Sequence, residues 1–192
     1  MHPAKERSSP RHRSSWAILL AGTLALTSFL ACGETTEPVV QGSFSGTVTG
    51  DIAATANGTA AFGVTDLNGA SSFYLVMVRG SVVEFDLDII PLFRFSTERP
   101  PVGSYVIVAA DPPCATCGPN DFDGAYFWQR AAGAPRIFGS EAGSLTITKS
   151  TADTVSGSAT FSAIEIGQTG ATVNIQVTFT AVPGSLPTVP GG

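Results

Sequence analysis

Two cysteines lie in the stretch of the chain that is richest in reactive side chains, Asp111 to Gly124, which reads DPPCATCGPNDFDG. Cys114 and Cys117 are separated by two residues, a spacing found in metal sites, redox pairs and disulfides. A tetrahedral zinc site needs four nitrogen or sulfur ligands, and thioredoxin-like pairs sit in a strand–helix context that the flanking prolines and glycines do not provide. In an oxidising compartment we therefore predict a Cys114–Cys117 disulfide, with metal and redox roles as the alternatives.

The same stretch carries four side-chain oxygen donors that a disulfide would bring close together: Asp111, Asn120, Asp121 and Asp123. Calcium takes about six to eight oxygen ligands and tolerates irregular geometry. The segment Asn-Asp-Phe-Asp-Gly matches a fragment of the calcium-loop pattern, but its spacing departs from the EF-hand rule. Because Asp, Asn and Gly are also common loop formers, we predict no metal here and keep the four residues as weak candidates.

Three further carboxylates, Glu84, Asp86 and Asp88, alternate with apolar residues and would share one face of a strand. Two carboxyl groups at such a spacing, about 6.5–7 Å, could hold a cation or hydrolyse a glycosidic bond. A half-solvated antiparallel strand shows the same alternation. We therefore predict that the acids face solvent while Leu87 and Ile89 face the core, and we retain the acids as weak ligand-site candidates.

The first 31 residues indicate the compartment. A cationic lead precedes an uncharged, largely apolar run over residues 16–31. This layout is typical of a signal peptide, and the run is shorter than the roughly 20 apolar residues of a membrane-spanning helix. The remainder of the chain is therefore predicted to be exported.

The signal-like segment ends in Phe29-Leu30-Ala31-Cys32, which resembles the lipobox of bacterial lipoprotein precursors. The match departs from the usual pattern at Phe29, where an aliphatic residue is common. The resemblance implies cleavage before Cys32 and acylation of that cysteine, so that a lipid anchors the protein to the membrane. Gly33 implies delivery to the outer membrane. Cleavage after Gly33, giving a soluble periplasmic or secreted protein, is the alternative.

Loss of residues 1–31 would change the composition. Six basic residues would remain against fourteen acidic ones, a net charge of −8. Such an acidic surface disfavours nucleic acid as a partner. Both histidines, His2 and His12, precede the cleavage site, so the mature chain has neither a Ser-His dyad nor a His-ligated metal. We predict a protein without cofactor and without enzymatic activity.

The rest of the sequence predicts strands. Residues 171–181 alternate strictly between apolar and polar side chains, and Gly167 to Gly170 form a hairpin loop before them. Further turns are predicted at Asn57-Gly58 and Gly80-Ser81. About nine short strands predict an all-β fold, a single antiparallel β-sandwich or flattened barrel. The predicted segments are a signal peptide (1–31), a lipidated Cys32 with a flexible tether (32–42), the β domain (43–182) and a disordered tail (183–192).

The whole chain resembles the many uncharacterised lipoproteins of Gram-negative bacteria that join a lipobox, a short tether and one β domain, and this resemblance implies no catalytic residues. The predicted function is a membrane-anchored exported lipoprotein with a non-enzymatic binding or structural domain, whose ligand or partner lies outside the cytoplasm. A lipocalin-like carrier of an apolar ligand, with a cavity lined by Phe93, Phe95 and Trp128, is one alternative. A carboxylate-based glycoside hydrolase is the other.

Overall fold

The computed structural model describes residues 41–67, 70–81, 86–110, 117–130, 133–167 and 170–187. These residues form nine strands and no helix. The strands are β1 (Ser43–Gly50), β2 (Ala54–Leu67), β3 (Ala70–Ser81), β4 (Asp86–Arg94), β5 (Gly103–Ile107), β6 (Asp121–Gln129), β7 (Arg136–Ser150), β8 (Val155–Glu165) and β9 (Thr172–Pro183). The predicted all-β class is confirmed.

The nine strands form one sheet whose hydrogen-bonded order closes on itself. The order is β1-β2-β3-β4-β6-β5-β7-β8-β9, and β9 pairs in turn with β1. Neighbours in this order are antiparallel apart from β5 and β6, which run parallel over a short stretch. Beyond that stretch β6 pairs directly with β7. This pairing brings the ends of β6, β7 and β8 together at one end of the closed sheet, called the rim below.

The inner face of the closed sheet is filled with apolar side chains. In β9 the inward residues Val173, Ile175 and Val177 are almost fully buried, whereas the polar residues between them are exposed. This strand confirms the alternation seen in the sequence. Large aromatic side chains occupy the centre, and five of them are at most 2% exposed: Phe73, Phe122, Tyr126, Phe138 and Phe161.

A second apolar cluster lies on the outer face of β3 and β4. Tyr74, Val76, Leu87 and Ile89 are all at most 4% exposed, although they point away from the core. The chain after β9 covers part of this face, because Leu186 packs against the cluster and the Tyr74 hydroxyl donates a hydrogen bond to the Gly184 carbonyl. The tail was predicted to be disordered from residue 183, but residues 184–187 lie against the sheet.

Two predicted turns are wrong. Asn57 and Gly58 lie within β2, and the β1–β2 connection is at Asp51–Ala53 instead. A Cβ on Gly58 would clash with the carbonyl oxygen of Val78, so this glycine permits a close approach of strands and does not make a turn.

The second wrong turn is at Gly80-Ser81. Gly80 has φ of 83° and pairs with Leu87, and Ser81 pairs with Asp86, so both residues belong to the β3–β4 ladder. Residues 82–85 lie outside the described part. A Cβ on Gly80 would clash with the carbonyl oxygen of Asp86, which explains the glycine. The hairpin over residues 167–170 was predicted correctly, since Gly167 and Gly170 have positive φ between β8 and β9.

The signal segment, Cys32 and the tether up to residue 40 lie outside the described residues, and their predicted roles stay predictions. In the described part, no helix is long and apolar enough to cross a membrane.

Candidate functional site

The acidic row is arranged differently from the prediction. Asp88 was expected to face solvent, yet its side chain has 0% exposure and points to the inner side of the sheet. Leu87 and Ile89 lie on the outer face, so the predicted orientation of β4 is reversed. Asp86 is 45% exposed, and Glu84 lies outside the described residues. The reversal is possible because the outer face of β3 and β4 is apolar too, and because Asp88 finds charged partners inside.

Arginines from two other strands neutralise Asp88. Arg79 of β3 donates from Nη1 to Oδ2 at 3.0 Å, and Arg130, just beyond β6, donates from Nη2 to both carboxylate oxygens at 3.1 and 3.2 Å. The Tyr126 hydroxyl donates to Oδ1 at 2.7 Å. Burial, followed by this hydrogen bond to a carboxylate, raises the pKa of Tyr126. Asp86 bonds the same two arginines at 3.1 Å, which gives a cluster of two acids and two cations.

A concave surface lies beside this cluster, at the rim. It is a groove of about 570 Å³ lined by Trp128, Gly133, Ala134, Pro135, Arg136, Ile137, Glu165 and Ile166. These residues come from the end of β6, the start of β7 and the end of β8, which are adjacent because Trp128 pairs with Arg136 and Phe138 pairs with Glu165. Ligand sites in closed β-sheets commonly lie at such an opening. This rim groove is the candidate functional site.

A bidentate ion pair forms the polar wall of the groove. Arg136 donates from Nε to Oε1 of Glu165 at 2.8 Å and from Nη2 to Oε2 at 2.7 Å. The hydrogen bonds from Arg136 hold the pKa of Glu165 below its usual value, and the same contact raises the pKa of Arg136. The Arg136 guanidinium also lies over the ring of Phe138, 5.0 Å from its centre. The buried Phe138 ring therefore helps to orient the Arg136–Glu165 pair.

The remaining walls of the groove are apolar. Arg130 lies over the Trp128 ring at 5.0 Å, a cation–π contact that connects the groove to the buried ion-pair cluster. Ile137 and Ile166 are 38% and 44% exposed, which is unusual for isoleucine. Exposed apolar side chains around a polar pair are typical of binding surfaces.

The candidate metal ligands of the acidic loop that the structure describes, Asn120, Asp121 and Asp123, do not form a metal site. Asn120 Oδ1 accepts a hydrogen bond from Arg94 at 3.3 Å, and Asp121 Oδ2 accepts the backbone N–H of Gly118 at 2.8 Å. Among the described residues, no group of three or more His, Cys, Asp or Glu side chains could hold a metal. Asp111 and Cys114 lie outside the described residues, so the predicted Cys114–Cys117 disulfide stays a prediction.

Asp123 stands apart from the rest of that loop. It lies on β6 opposite Phe93, and its Oδ1 is buried without a hydrogen-bond partner among the described residues. Burial raises the pKa of this carboxyl from 3.8 to about 6. A half-buried acid of this kind reduces stability when it ionises.

The aromatic residues proposed to line a carrier cavity do not meet. Phe93 packs in the outer cluster, Phe95 is 40% exposed, and Trp128 lies at the rim. Sequence reasoning did not single out Arg79, Arg130, Arg136 or Glu165. One signal was available: Arg79 continues the alternating series Phe73, Leu75 and Met77, which places it on the inner face.

No protein-family model, no curated protein and no solved structure matches this chain. The rim groove is therefore identified from its own geometry.

Proposed function

We propose that the chain is an exported lipoprotein, anchored to the membrane through Cys32, whose β domain is a flattened barrel that binds a ligand in the rim groove without catalysing a reaction. The observation that carries this proposal is the rim groove itself. It combines an indole, exposed isoleucines and an oriented Arg136–Glu165 pair at an opening of the sheet.

The packed interior favours binding at the rim over carriage of a ligand inside the barrel. Phe122, Tyr126, Phe138 and Phe161 fill the centre of the inner face and are at most 2% exposed. A lipocalin-like carrier needs that volume for its ligand. At the rim, a concave surface and the exposed apolar side chains Ile137 and Ile166 coincide.

The state of the carboxylates favours binding over catalysis. A glycoside hydrolase needs one carboxyl group that can hold a proton near neutral pH and a second that can attack or activate water. Asp88 instead accepts hydrogen bonds from Arg79, Arg130 and Tyr126 and has no exposed surface, so a substrate cannot reach it. Hydrogen bonds from Arg136 lower the pKa of Glu165. Burial raises the pKa of Asp123 to about 6, but this residue lies opposite Phe93 and does not line the rim groove.

An apolar fluorescent probe tests the proposed binding. N-phenyl-1-naphthylamine, which is neutral, is titrated into the full chain carrying Trp16→Phe and Cys32→Ser, so that Trp128 is the sole tryptophan and no lipid is attached. We expect saturable energy transfer from Trp128 to the probe.

Two isoleucines provide a matched pair of variants for this titration. Ile166→Glu puts a charge into the groove and should weaken binding of the probe about tenfold, whereas Ile164→Glu, 36% exposed and outside the groove, should leave it unchanged. Equal effects of the two substitutions, or no saturable transfer at all, would contradict binding in the rim groove.

A further inference from the structure

The charge balance of the rim groove indicates a neutral ligand. Arg136 and Glu165 are the two charged residues of the lining, and they bond each other through two hydrogen bonds at 2.7 and 2.8 Å. A charged ligand would have to compete with this bidentate pair for either partner. The chain is acidic, with a net charge of −5 over all 192 residues and −8 without residues 1–31, and this adds repulsion for anions.

The shape of the lining indicates a ligand with both apolar and hydrogen-bonding surfaces. Ile166 and the part of Trp128 that Arg130 does not cover offer apolar contacts, while the Arg136–Glu165 pair on another wall offers polar groups held in a fixed position. The Arg136–Glu165 bonds use Nε and Nη2 of the arginine, so a purely apolar ligand would remove water from Nη1 without replacing it, whereas a ligand with hydroxyl groups could bond there. A pyranose ring has one apolar C–H face and a periphery of hydroxyl groups, and it satisfies both kinds of wall.

The strand pairing disfavours an extended peptide. Peptides that bind to β-sheets commonly add a strand to a free edge and pair through the main chain. In the described part, β6, β7 and β8 pair with one another or with other strands along the groove, and the order of the sheet is closed. No such edge is available beside Trp128, so recognition here must use side chains.

We propose that the rim groove binds a neutral glycan chain, with one sugar ring against Trp128 and its hydroxyl groups bonded to Arg136 and Glu165. This inference rests on the proposed function, because it names the ligand of the same groove. A volume of about 570 Å³ gives room for a short stretch of an oligosaccharide. Binding of this kind is weak, with a Kd on the order of 0.1–10 mM, because each ring makes few contacts.

Fluorescence of Trp128 tests the ligand class. Cellopentaose, maltopentaose and chitopentaose, all uncharged, are titrated into the full chain carrying Trp16→Phe and Cys32→Ser, with penta-galacturonic acid as the charged comparison. We expect at least one neutral pentasaccharide to shift the emission saturably and the acidic one to bind at least tenfold more weakly. Ile166→Glu should abolish the shift and Ile164→Glu should retain it; Ala134→Asp, at an exposed position in the groove, serves as a second blocking variant.

The outcomes separate the two proposals. If N-phenyl-1-naphthylamine binds in the groove but no neutral pentasaccharide does, the glycan assignment is wrong while the binding function stands. Equal or tighter binding of penta-galacturonic acid also overturns the assignment, because it contradicts the neutral lining. If neither the apolar probe nor any pentasaccharide binds, both proposals fail.

Discussion

Arg79 lies directly opposite Asp88 in the β3–β4 ladder, and its Nη1 is 3.0 Å from Oδ2 of a carboxylate that has no exposed surface. A carboxylate in such a position is stable only because it is paired, since transfer of an isolated charge from water into the interior costs far more than a hydrogen bond returns. Arg130 and Tyr126 complete its coordination. The Arg79–Asp88 contact holds Asp88 on the inner face of β4. Asp88 pairs with Trp128 of β6, so the contact also helps to position a residue of the rim groove.

The first prediction concerns the difference between the two acids of this cluster. Asp88→Asn removes the fully buried carboxylate of the cluster and leaves Arg79 and Arg130, each 27% exposed, with Asp86 as the remaining acid. It should lower the free energy of unfolding by about 1.5–3 kcal/mol, the scale of lost hydrogen bonds to a charged group. Asp86→Asn, at a side chain 45% exposed, should cost about 1 kcal/mol or less. Urea unfolding of both variants at neutral pH measures this difference. Similar losses for both would mean that Asp88 is not the centre of the cluster.

The second prediction is a pH dependence that originates at Asp123. Burial raises the pKa of its carboxyl from 3.8 to about 6, so the folded protein holds this proton more tightly than the unfolded chain. The free energy of unfolding should therefore fall as the pH rises from about 4 to about 6, by at most about 3 kcal/mol, and by less to the extent that solvent reaches the side chain.

Asp123→Asn removes this ionisation and tests it. The variant should be more stable than the parent protein above pH 6, and the gain should disappear near pH 4. Asp153→Asn, at an exposed position in the β7–β8 turn, is the control. A gain of equal size at both pH values would show that the effect does not come from titration of Asp123.

The third prediction concerns the chain after β9. Leu186 packs on the outer cluster and Tyr74 donates a hydrogen bond to Gly184, so this segment stabilises the outer face of the sheet. Leu186→Ala and Tyr74→Phe should each lower the free energy of unfolding by about 1–2 kcal/mol, as expected for a partly buried leucine and a single hydrogen bond.

Val102→Ala is the control for the tail variants, because this residue is 63% exposed and should change stability by less than about 0.5 kcal/mol. Chemical unfolding measures all three. If the two tail variants are as stable as the control, residues 184–187 do not contribute to the fold.

The sequence was sufficient where one face of a strand is polar. In β9 the alternation of Val173, Ile175 and Val177 with Thr and Asn left a single choice of inner face. The loop that contains Gly167 and Gly170 could also be predicted, because glycines at these positions are typical of a hairpin turn. Both glycines adopt positive φ in the structure.

The sequence was insufficient where both faces of a strand are apolar. In β3 and β4 the pattern allowed either orientation, and the position of Asp88 was decided by Arg79 and Arg130, which approach it from other strands. The Gly58 error has a related cause, because a glycine next to asparagine is typical of a turn but here permits close contact with Val78. Local sequence does not report such tertiary contacts.

The rim groove could not be predicted for the same reason. Its lining comes from the ends of three strands, and Trp128 meets Arg136 and Glu165 only through the β6–β7 and β7–β8 pairings. Trp128 was recognised as a candidate, but its partners were not. The spacing of these residues along the chain carries no chemical motif.

The fourth prediction concerns the two cysteines of the acidic loop. If Cys114 and Cys117 form a disulfide in the exported protein, a thiol reagent should label neither of them in the unfolded protein without reductant and both after reduction. The short span makes a stabilisation of about 2 kcal/mol or less the expected contribution. Labelling of both thiols without reductant, or zinc retained through dialysis, would contradict the disulfide.

The role proposed for the rim groove depends on where the protein is delivered. The intact mass of the mature protein tests this most directly, because it reports both the cleavage site and the acylation of Cys32. Purified from the membrane fraction of the producing bacterium, the protein should have the mass of residues 32–192 with acyl chains on Cys32, and treatment with high salt should not release it, because several buried acyl chains anchor a protein durably. An unmodified chain that begins at Glu34 and is recovered in the soluble fraction would contradict the account of a membrane-anchored binding protein.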